Sequence, residues 1–307
     1  MIIIGSTALL HNLGHLNRHP VDIDVFADEA ELTALQHIHN IHIKPLGPGK
    51  FIAKNVPGIG TIEFELFESS ESARGYREYI KQNPGKEIQF LDQTHIIAPN
   101  EVLYSIKRSH RHYPRNFYKH INDYHLLKEY VPQLSEELQQ LTKIREKETE
   151  IRYGKLKTPS LMKNKENFFT EDVKRVFVHD DIHKIMAILD KPMYEKISKG
   201  DGSVASDKNK FFALPFQHQI FCVLEEAYVI ALERCIIPMI FKASQFVSPE
   251  DAFNWALMRI CTTLTSGWFR DFATENWKII TNLHNRQYVE KFFGAYQDGQ
   301  IQRINQK

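Results

Sequence analysis

The sequence is poor in cysteine, in long apolar runs and in net charge. Its three cysteines include no Cys-x-x-Cys pair and lie in apolar or helical contexts, which predicts a reduced, cytoplasmic protein without a cysteine-based zinc site. The longest apolar stretch is interrupted by Glu233, Arg234 and Pro238, so no membrane-spanning helix is expected. The first residues, MIIIGS, lack the basic segment of a signal peptide. A formal net charge of +1 excludes a global attraction to nucleic acid or membranes.

The pattern of apolar residues changes near Pro99. Before it, short β-type runs alternate with Gly/Pro turns, and after it helical spacing dominates. We therefore predict the α+β class, with a small mixed α/β domain followed by a mainly helical domain. The predicted boundaries are 1–130 for the first domain, 131–169 for a helix and linker, and 170–307 for the helical domain. The candidate strands are IIIG, VDIDVF, residues 51–53, TIEFELF and EIQFL, with helices at about 6–14 and 28–39.

Two aspartates lie one residue apart in the apolar run VDIDVF. In a strand, side chains alternate between faces, so Asp22 and Asp24 would share one face while Val21, Ile23 and Val25 point into the core. Two like charges that close repel each other unless a positive charge lies between them. Mg²⁺ takes one or two carboxylates together with phosphate oxygens and water, and would satisfy this pair. A solvated acidic pair at a strand edge is the alternative interpretation.

The segment GSTALLHNLGHLNRHPVDIDVF resembles the nucleotidyltransferase superfamily, which has the polymerase-beta-like fold, and within it the minimal and abortive-infection-type members. The resemblance implies that Gly5 and Ser6 form the turn that holds nucleotide phosphates, and that Asp22 and Asp24 bind metal ions. One feature departs from the family, where a helix usually precedes the Gly-Ser strand. Either the fold is trimmed here, or a helix from elsewhere covers this edge of the sheet, since an uncovered edge strand promotes aggregation.

The resemblance also implies a third carboxylate on a neighbouring strand. In TIEFELFE, residues 61–68, alternation places Glu63 and Glu65 on one face and apolar side chains on the other. We expect Glu63 to be the third catalytic and metal-binding carboxylate, with Glu65 as a further metal-binding candidate. The family more often has aspartate at this position. An amphipathic surface strand with solvated glutamates is the alternative.

A basic segment follows the predicted sheet, at residues 101–128. Lys107, Lys119 and Asp123 match the basic cluster and Lys…Asp pair of the abortive-infection-type enzymes, and the resemblance implies that they bind the nucleotide. Lys119 and Asp123 are four residues apart and would share a helix face. Basic side chains that face an acidic metal site would hold a triphosphate by charge. A solvated basic helix or a nucleic-acid-facing patch are the alternatives.

Taken together, the resemblance implies a metal-dependent nucleotidyltransferase. Such an enzyme uses Mg²⁺ or Mn²⁺ to move NMP from an NTP to a hydroxyl of a protein, an RNA or a small molecule. Two metal ions would activate the attacking oxygen and stabilise the leaving pyrophosphate. Most of the rate would come from positioning and charge neutralisation, and Glu63 would help to deprotonate the hydroxyl.

A second group of residues favours a different chemistry. His179 and His183 lie four residues apart, with Asp180 beside His179, so a helix would place both histidines on one metal-binding face. The His-Asp pair is similar to that of HD-type metallophosphohydrolases, whose remaining ligands would come from His120 or His125 and from Asp251 or Asp271. A non-catalytic binding protein on a nucleotidyltransferase scaffold is the third hypothesis.

Overall fold

The computed structural model describes residues 1–16, 18–153, 181, 207–240, 248–262, 267–284, 290–291, 294–295 and 297–300. The chain divides into two compact units. The first, which we call the sheet unit, comprises Met1–Arg111 and Tyr118–Gly154, and the second, the helical unit, comprises His112–Phe117 and Lys155–Lys307. A sheet followed by helices confirms the predicted α+β class. No helix in the described ranges is long and apolar enough to cross a membrane.

One mixed sheet, of seven strands in the described residues, forms the sheet unit, with the spatial order β3-β4-β5-β2-β1-β7-β6. Its centre combines parallel and antiparallel pairs: β2 runs antiparallel to β1 and parallel to β5. The strands are β1 (Ile2–Ile4), β2 (Ile23–Ala27), β3 (Ile43–Gly47), β4 (Lys50–Val56), β5 (Gly60–Leu66), β6 (Glu87–Phe90) and β7 (Gln93–Ile97).

The helices of the sheet unit begin and end at recognisable capping residues. Asp28 and Glu31 form a reciprocal capping box at the start of α2, each side chain accepting from the other's backbone N–H at 2.8 Å. Gly14, in the left-handed conformation, ends α1. These helices are α1 (Gly5–Leu13), α2 (Glu29–Ile38), α3 (Glu71–Gln82), α4 (Asn100–Ser109), α5 (Phe117–Tyr130) and α6 (Glu136–Tyr153).

The two faces of the sheet carry different residues. On one face, Val25, Ile62 and Phe64 form an apolar core with Leu32 and Leu35 of α2. The opposite face carries Asp24 and Phe26 of β2 and the glutamates of β5, because side chains alternate along each strand. Helices α1, α3, α4 and α6 belong to this second side, where α4 packs against α1 and α6. The polar residues of interest therefore lie between the sheet and these helices.

Two sequence predictions about β2 and β1 are wrong. Strand β2 begins at Ile23, so Asp22 precedes it, and Val21 is 82% exposed instead of pointing into the core. Strand β1 is not an edge covered by a helix: β7, from much later in the chain, pairs with it in parallel. The backbone N–H and C=O groups on this side of β1 therefore pair with β7, and β1 is not an exposed edge strand.

The helical unit is held together by aromatic side chains. Phe211 is fully buried and contacts the rings of Trp268, Phe269 and Phe272 at centroid distances of 5.0–5.3 Å. The described helices here are α7 (Lys208–Phe212), α8 (Phe216–Ile240), α9 (Pro249–Thr262), α10 (Gly267–Glu275) and α11 (Trp277–Leu283). As expected for a reduced protein, Cys222 and Cys261 are buried free thiols.

Candidate active site

Two carboxylates lie side by side on the helix-covered side of the sheet, and a third precedes them in the chain. Asp24 on β2 lies directly opposite Ile4 on β1 and opposite Glu63 on β5. Asp22 lies two residues before Asp24, at the entry to the strand. We call Asp22, Asp24 and Glu63 the acidic triad. The sheet register thus brings Asp24 and Glu63 together, and the chain entering β2 places Asp22 two residues from Asp24.

Gly5 is placed against the acidic triad. It follows β1 directly, begins α1 with φ +70°, and is buried. A Cβ atom at this position would lie 2.0 Å from Oδ2 of Asp24 and 2.8 Å from its Cβ. Only glycine therefore allows the first turn of α1 to approach the Asp24 carboxylate so closely, and glycine also tolerates the positive φ.

The carboxylates of the triad repel one another at partly buried positions. Burial raises the pKa of Asp24, and the charge of Asp22 raises it further, while Lys107 and Lys119 oppose the shift. Burial also raises the pKa of Glu63, with further contributions from Asp24 and Asp22. Oδ1 of Asp22 is buried and accepts no hydrogen bond. A cation would stabilise this group of carboxylates, because it would favour their charged forms against burial and mutual repulsion.

Lysines from three different elements surround the triad. Lys119 of α5 places its Nζ 4.0 Å from Oδ1 of Asp22. Lys107 of α4 and Lys50 of β4 both lower the pKa of Asp24. Lys50 also opposes the raised pKa of Glu63. The helix-covered side of the sheet therefore carries both acidic and basic groups, as a site for a metal-bound phosphate requires.

Asp123 is bound by two cations instead of facing the triad directly. Nζ of Lys107 lies 2.8 Å from Oδ2 of Asp123, and both side chains are almost fully buried. Nη2 of Arg18 donates to both carboxylate oxygens of Asp123, at 2.8 and 2.6 Å, and to Oγ of Ser6 at 2.8 Å. Arg18, which the sequence analysis did not select, thus contacts Ser6 and Asp123, and Asp123 in turn contacts Lys107. Ser6, Lys107 and Asp123 are three of the predicted nucleotide-binding residues.

Glu65 has a structural partner and does not join the triad. Its carboxylate accepts from both terminal nitrogens of Arg145, at 3.0 and 2.8 Å, and Lys50 lies 3.5 Å away. Burial by itself would lower the pKa of Arg145, but the Glu65 carboxylate outweighs burial and holds this pKa above its usual value. The metal-binding role predicted for Glu65 is therefore replaced by a buried ion pair, and the proposal below rests on Glu63.

The sequence pattern gave no reason to select Arg18, Lys50 or Arg145. Arg18 lies in a polar loop, Lys50 follows the Pro-Gly turn between β3 and β4, and Arg145 is one of several charges on α6. Each becomes significant only through a partner far away in sequence. The one available signal was Arg145 within the regular apolar spacing of α6, where a buried face predicts a partner for the charge.

The second predicted metal cluster cannot be located. His179, Asp180 and His183 lie outside the described residues. Two of their suggested partners have other contacts: His120 stacks on His110 with a centroid distance of 5.4 Å, and Asp271 lies 2.7 Å from Nε2 of His112. Within the described ranges, no three His, Cys, Asp or Glu side chains, those of the acidic triad included, are grouped so that together they could hold a metal ion.

The close approach of Gly5 to Asp24 leads to a stability prediction. Gly5→Ala should lower the free energy of unfolding by about 2–4 kcal/mol, because it combines a left-handed backbone with a steric overlap. Urea unfolding followed by far-UV circular dichroism measures the change. Gly14→Ala is the matched control: its φ is +75°, but a Cβ there would meet nothing within 4 Å. Equal losses in the two variants would show that the contact with Asp24 is not tight.

Comparison with known proteins gives a family but no characterised relative. No curated protein and no solved structure matches the chain significantly. One family matches residues 102–293, more than half of the chain. This segment begins within α4, so it contains Lys107, Lys119 and Asp123 but not the strands that carry the acidic triad. The chain belongs to this family, which is described as a domain of unknown function (DUF7275).

Proposed function

We propose that the chain is a metal-dependent nucleotidyltransferase, which moves NMP from an NTP to a hydroxyl acceptor. The observation that carries this proposal is the alignment of Asp24 with Glu63 across β2 and β5, with Gly5 against Asp24. These two carboxylates, with Asp22 two residues before Asp24, lie near the first turn of a helix, where backbone N–H groups favour anions. The surrounding lysines supply the opposite charge that a triphosphate needs.

The residues present fit a divalent cation. Mg²⁺ is commonly held by only one or two protein carboxylates, with substrate phosphate and water completing its coordination. Asp22 and Asp24 would hold it, since their charges raise each other's energy and Oδ1 of Asp22 accepts no hydrogen bond. The bound ion would stabilise the charge that develops on the leaving pyrophosphate. Mn²⁺ has the same ligand preference and should substitute.

The remaining chemistry belongs to the protein's own side chains. The acceptor oxygen forms a bond to the α-phosphorus of the NTP while the bond to pyrophosphate breaks. Glu63 is half-buried and its pKa is raised, so it is a better proton acceptor than an ordinary glutamate. We assign to it the proton of the acceptor hydroxyl. Lys107 and Lys119 orient the phosphates. The free thiols of Cys222 and Cys261 are compatible with a reaction in the reducing cytoplasm.

Label transfer tests the proposal directly. The purified full-length chain is incubated with each α-³²P-labelled NTP, Mg²⁺ or Mn²⁺, and a cell lysate; protease and nuclease treatment then identify the labelled acceptor. We expect transfer that EDTA abolishes and that Asp22→Asn reduces about 10²-fold. Asp92→Asn, at an exposed turn between β6 and β7, is the matched control and should retain full activity. Undiminished transfer by the Asp22 variant would refute the assignment.

A further inference from the structure

Arg18 closes a small polar cluster at the start of α1. A single nitrogen, Nη2, donates to Oγ of Ser6 and to both carboxylate oxygens of Asp123, at 2.6–2.8 Å. Lys107 contacts the same carboxylate at 2.8 Å. We call Ser6, Arg18, Lys107 and Asp123 the Asp123 cluster. Its members come from α1, the following loop, α4 and α5, so the fold has to be complete before they meet.

The four side chains differ in how much of each is open to solvent. Ser6 is fully buried, and the Asp123 and Lys107 side chains are 4% and 6% exposed. The Arg18 side chain is 30% exposed. Of the four, the Arg18 side chain is therefore the most accessible to a ligand that approaches from solution. The Ser6 hydroxyl, which the sequence assigned to phosphate binding, already accepts a hydrogen bond from Arg18.

The cluster carries an excess of positive charge. Asp123 neutralises one of the two cations that it binds, and the first turn of α1 adds the partial positive charge of a helix N-terminus. Lys119 adds a further positive charge, with its Nζ 4.0 Å from Oδ1 of Asp22. Burial, His110 and the charges of Lys107, Lys119 and Arg18 together lower the pKa of His120 to about 2. Cations that converge in this way repel one another, so a polyanion would stabilise the arrangement.

We propose that Arg18 binds the terminal phosphates of the nucleotide, and that Asp123 is a positioning residue that holds Arg18 and Lys107 towards them. This inference rests on the proposed function and adds a substrate class: a ligand with a linear chain of phosphates, not an isolated phosphate. A guanidinium can present two N–H groups to phosphate oxygens, whereas a buried carboxylate repels them. The direct nucleotide contact predicted for Asp123 is thereby reassigned to its two cations.

Binding of tripolyphosphate, which lacks a base and a sugar, tests Arg18 without knowledge of the preferred NTP. Calorimetry with magnesium tripolyphosphate should give an affinity for the full-length chain at least 10-fold above that for magnesium orthophosphate. Arg18→Ala should weaken tripolyphosphate binding by about 10-fold or more, the usual effect of losing a charged hydrogen bond. Arg77→Ala is the matched control, since Arg77 also bridges two carboxylates, Asp28 and Glu68, with 33% of its side chain exposed. The control should bind within about 2-fold of the wild type.

Asp123→Asn separates positioning from simple charge. If Asp123 only repelled the ligand, removing its charge would tighten tripolyphosphate binding; if it positions two cations, binding weakens by a similar factor to Arg18→Ala. The Arg18 variant remains decisive if the Asp123 variant does not fold, because Arg18 is partly exposed. Unchanged affinity in Arg18→Ala, or tighter binding in a folded Asp123→Asn, overturns the inference.

Failure of the role assigned to Arg18 can be distinguished from failure of the proposed function. Wild-type label transfer with unchanged tripolyphosphate affinity in Arg18→Ala would remove the role of Arg18 and leave the enzyme assignment intact. Absence of label transfer, with tripolyphosphate binding that depends on Arg18, would refute the enzyme assignment and retain a polyphosphate-binding site. Absence of both would refute both.

Discussion

Asp24→Asn is expected to reduce NMP transfer about 10³-fold, which is the upper range for the loss of one electrostatic stabiliser of a transition state. Asp24 is central to the triad: it lies opposite Glu63, two residues from Asp22 and against the first turn of α1. Its carboxylate would hold the cation on which charge neutralisation of the pyrophosphate depends. The initial rate of label transfer at saturating NTP measures the effect. Asn keeps the shape of the side chain, so a loss of this size would report charge and not packing.

The same substitution should stabilise the protein when no divalent cation is present. The pKa of Asp24 is raised in the folded state by burial and by Asp22, so folding favours its protonated form. Such a group stabilises the fold below its unfolded pKa, and this contribution is lost as pH rises through the folded pKa. At neutral pH the ionised Asp24 therefore destabilises the folded state. Asp24→Asn should raise Tm by about 2–4 °C, the shift that about 1 kcal/mol produces in a unit of this size.

Thermal unfolding at several pH values, with and without Mg²⁺ and an NTP, checks both effects of Asp24→Asn together. The Tm advantage of the variant should be smallest at acidic pH, where the wild-type carboxyl is protonated, and largest at neutral pH. Mg²⁺ with an NTP at about 100 times its Kd should stabilise the wild type by about 2.7 kcal/mol and leave the variant almost unchanged. Asp92→Asn should follow the wild type throughout. A lower Tm for Asp24→Asn at neutral pH would contradict the repulsion on which the site depends.

The parts of this site that the sequence predicts are those governed by local rules. Strand alternation is enough to put Glu63 on the polar face of β5, and the Gly-Ser turn predicts the start of α1 close to its observed position. Gly14 and the Asp28 capping box fix the helix ends by equally local chemistry. The convergence of Asp24 with Glu63 was obtained from the family resemblance, and the β2–β5 register brings these residues together.

The rest of the fold depends on contacts that no local pattern encodes. Strand β3 contains Pro45 and Gly47, which indicate a turn, yet pairing with β4 makes it an edge strand, where such residues are tolerated. Val21 continues the alternation of β2 but lies outside the strand, because pairing with β5 starts only at Ile23. Helix α6 begins at Glu136, with Ser135 as its capping residue, although Pro132, a residue type that often begins a helix, lies shortly before it.

The clearest limit of local rules is Glu65, which alternation cannot separate from Glu63. Both lie on the same face of β5, but Glu65 is opposite Phe26, and the α6 residue Arg145 covers that position. Arg145 is 5% exposed and donates to both Glu65 oxygens and to Oγ of Ser72 at 3.2 Å. The pair therefore attaches α6 to the sheet on the side that carries the triad. The pair holds the wall of the proposed site, in which we assign the proton of the acceptor hydroxyl to Glu63 and not to Glu65.

The buried ion pair between Arg145 and Glu65 predicts a large loss of stability when only one partner is removed. Arg145→Met should lower the free energy of unfolding by about 3–5 kcal/mol, because it leaves a buried carboxylate without its main partner. Because all three tryptophans, Trp255, Trp268 and Trp277, lie in the helical unit, their fluorescence does not report the sheet. Urea unfolding by far-UV circular dichroism, with hydrogen exchange of the β5 amides by mass spectrometry, measures the effect where it arises.

A second substitution distinguishes a missing partner from a packing defect. Arg145→Met combined with Glu65→Met removes both charges, and replacing a whole buried ion pair with apolar side chains is often neutral or stabilising, so most of the lost stability should return. Lys81→Met is the matched control for removal of one cation: its pair with Glu78 is exposed, and the expected change is about 0–1 kcal/mol. If the double variant were no more stable than Arg145→Met, the loss would come from the contact of the Arg145 guanidinium with the Phe26 ring and not from the ion pair with Glu65.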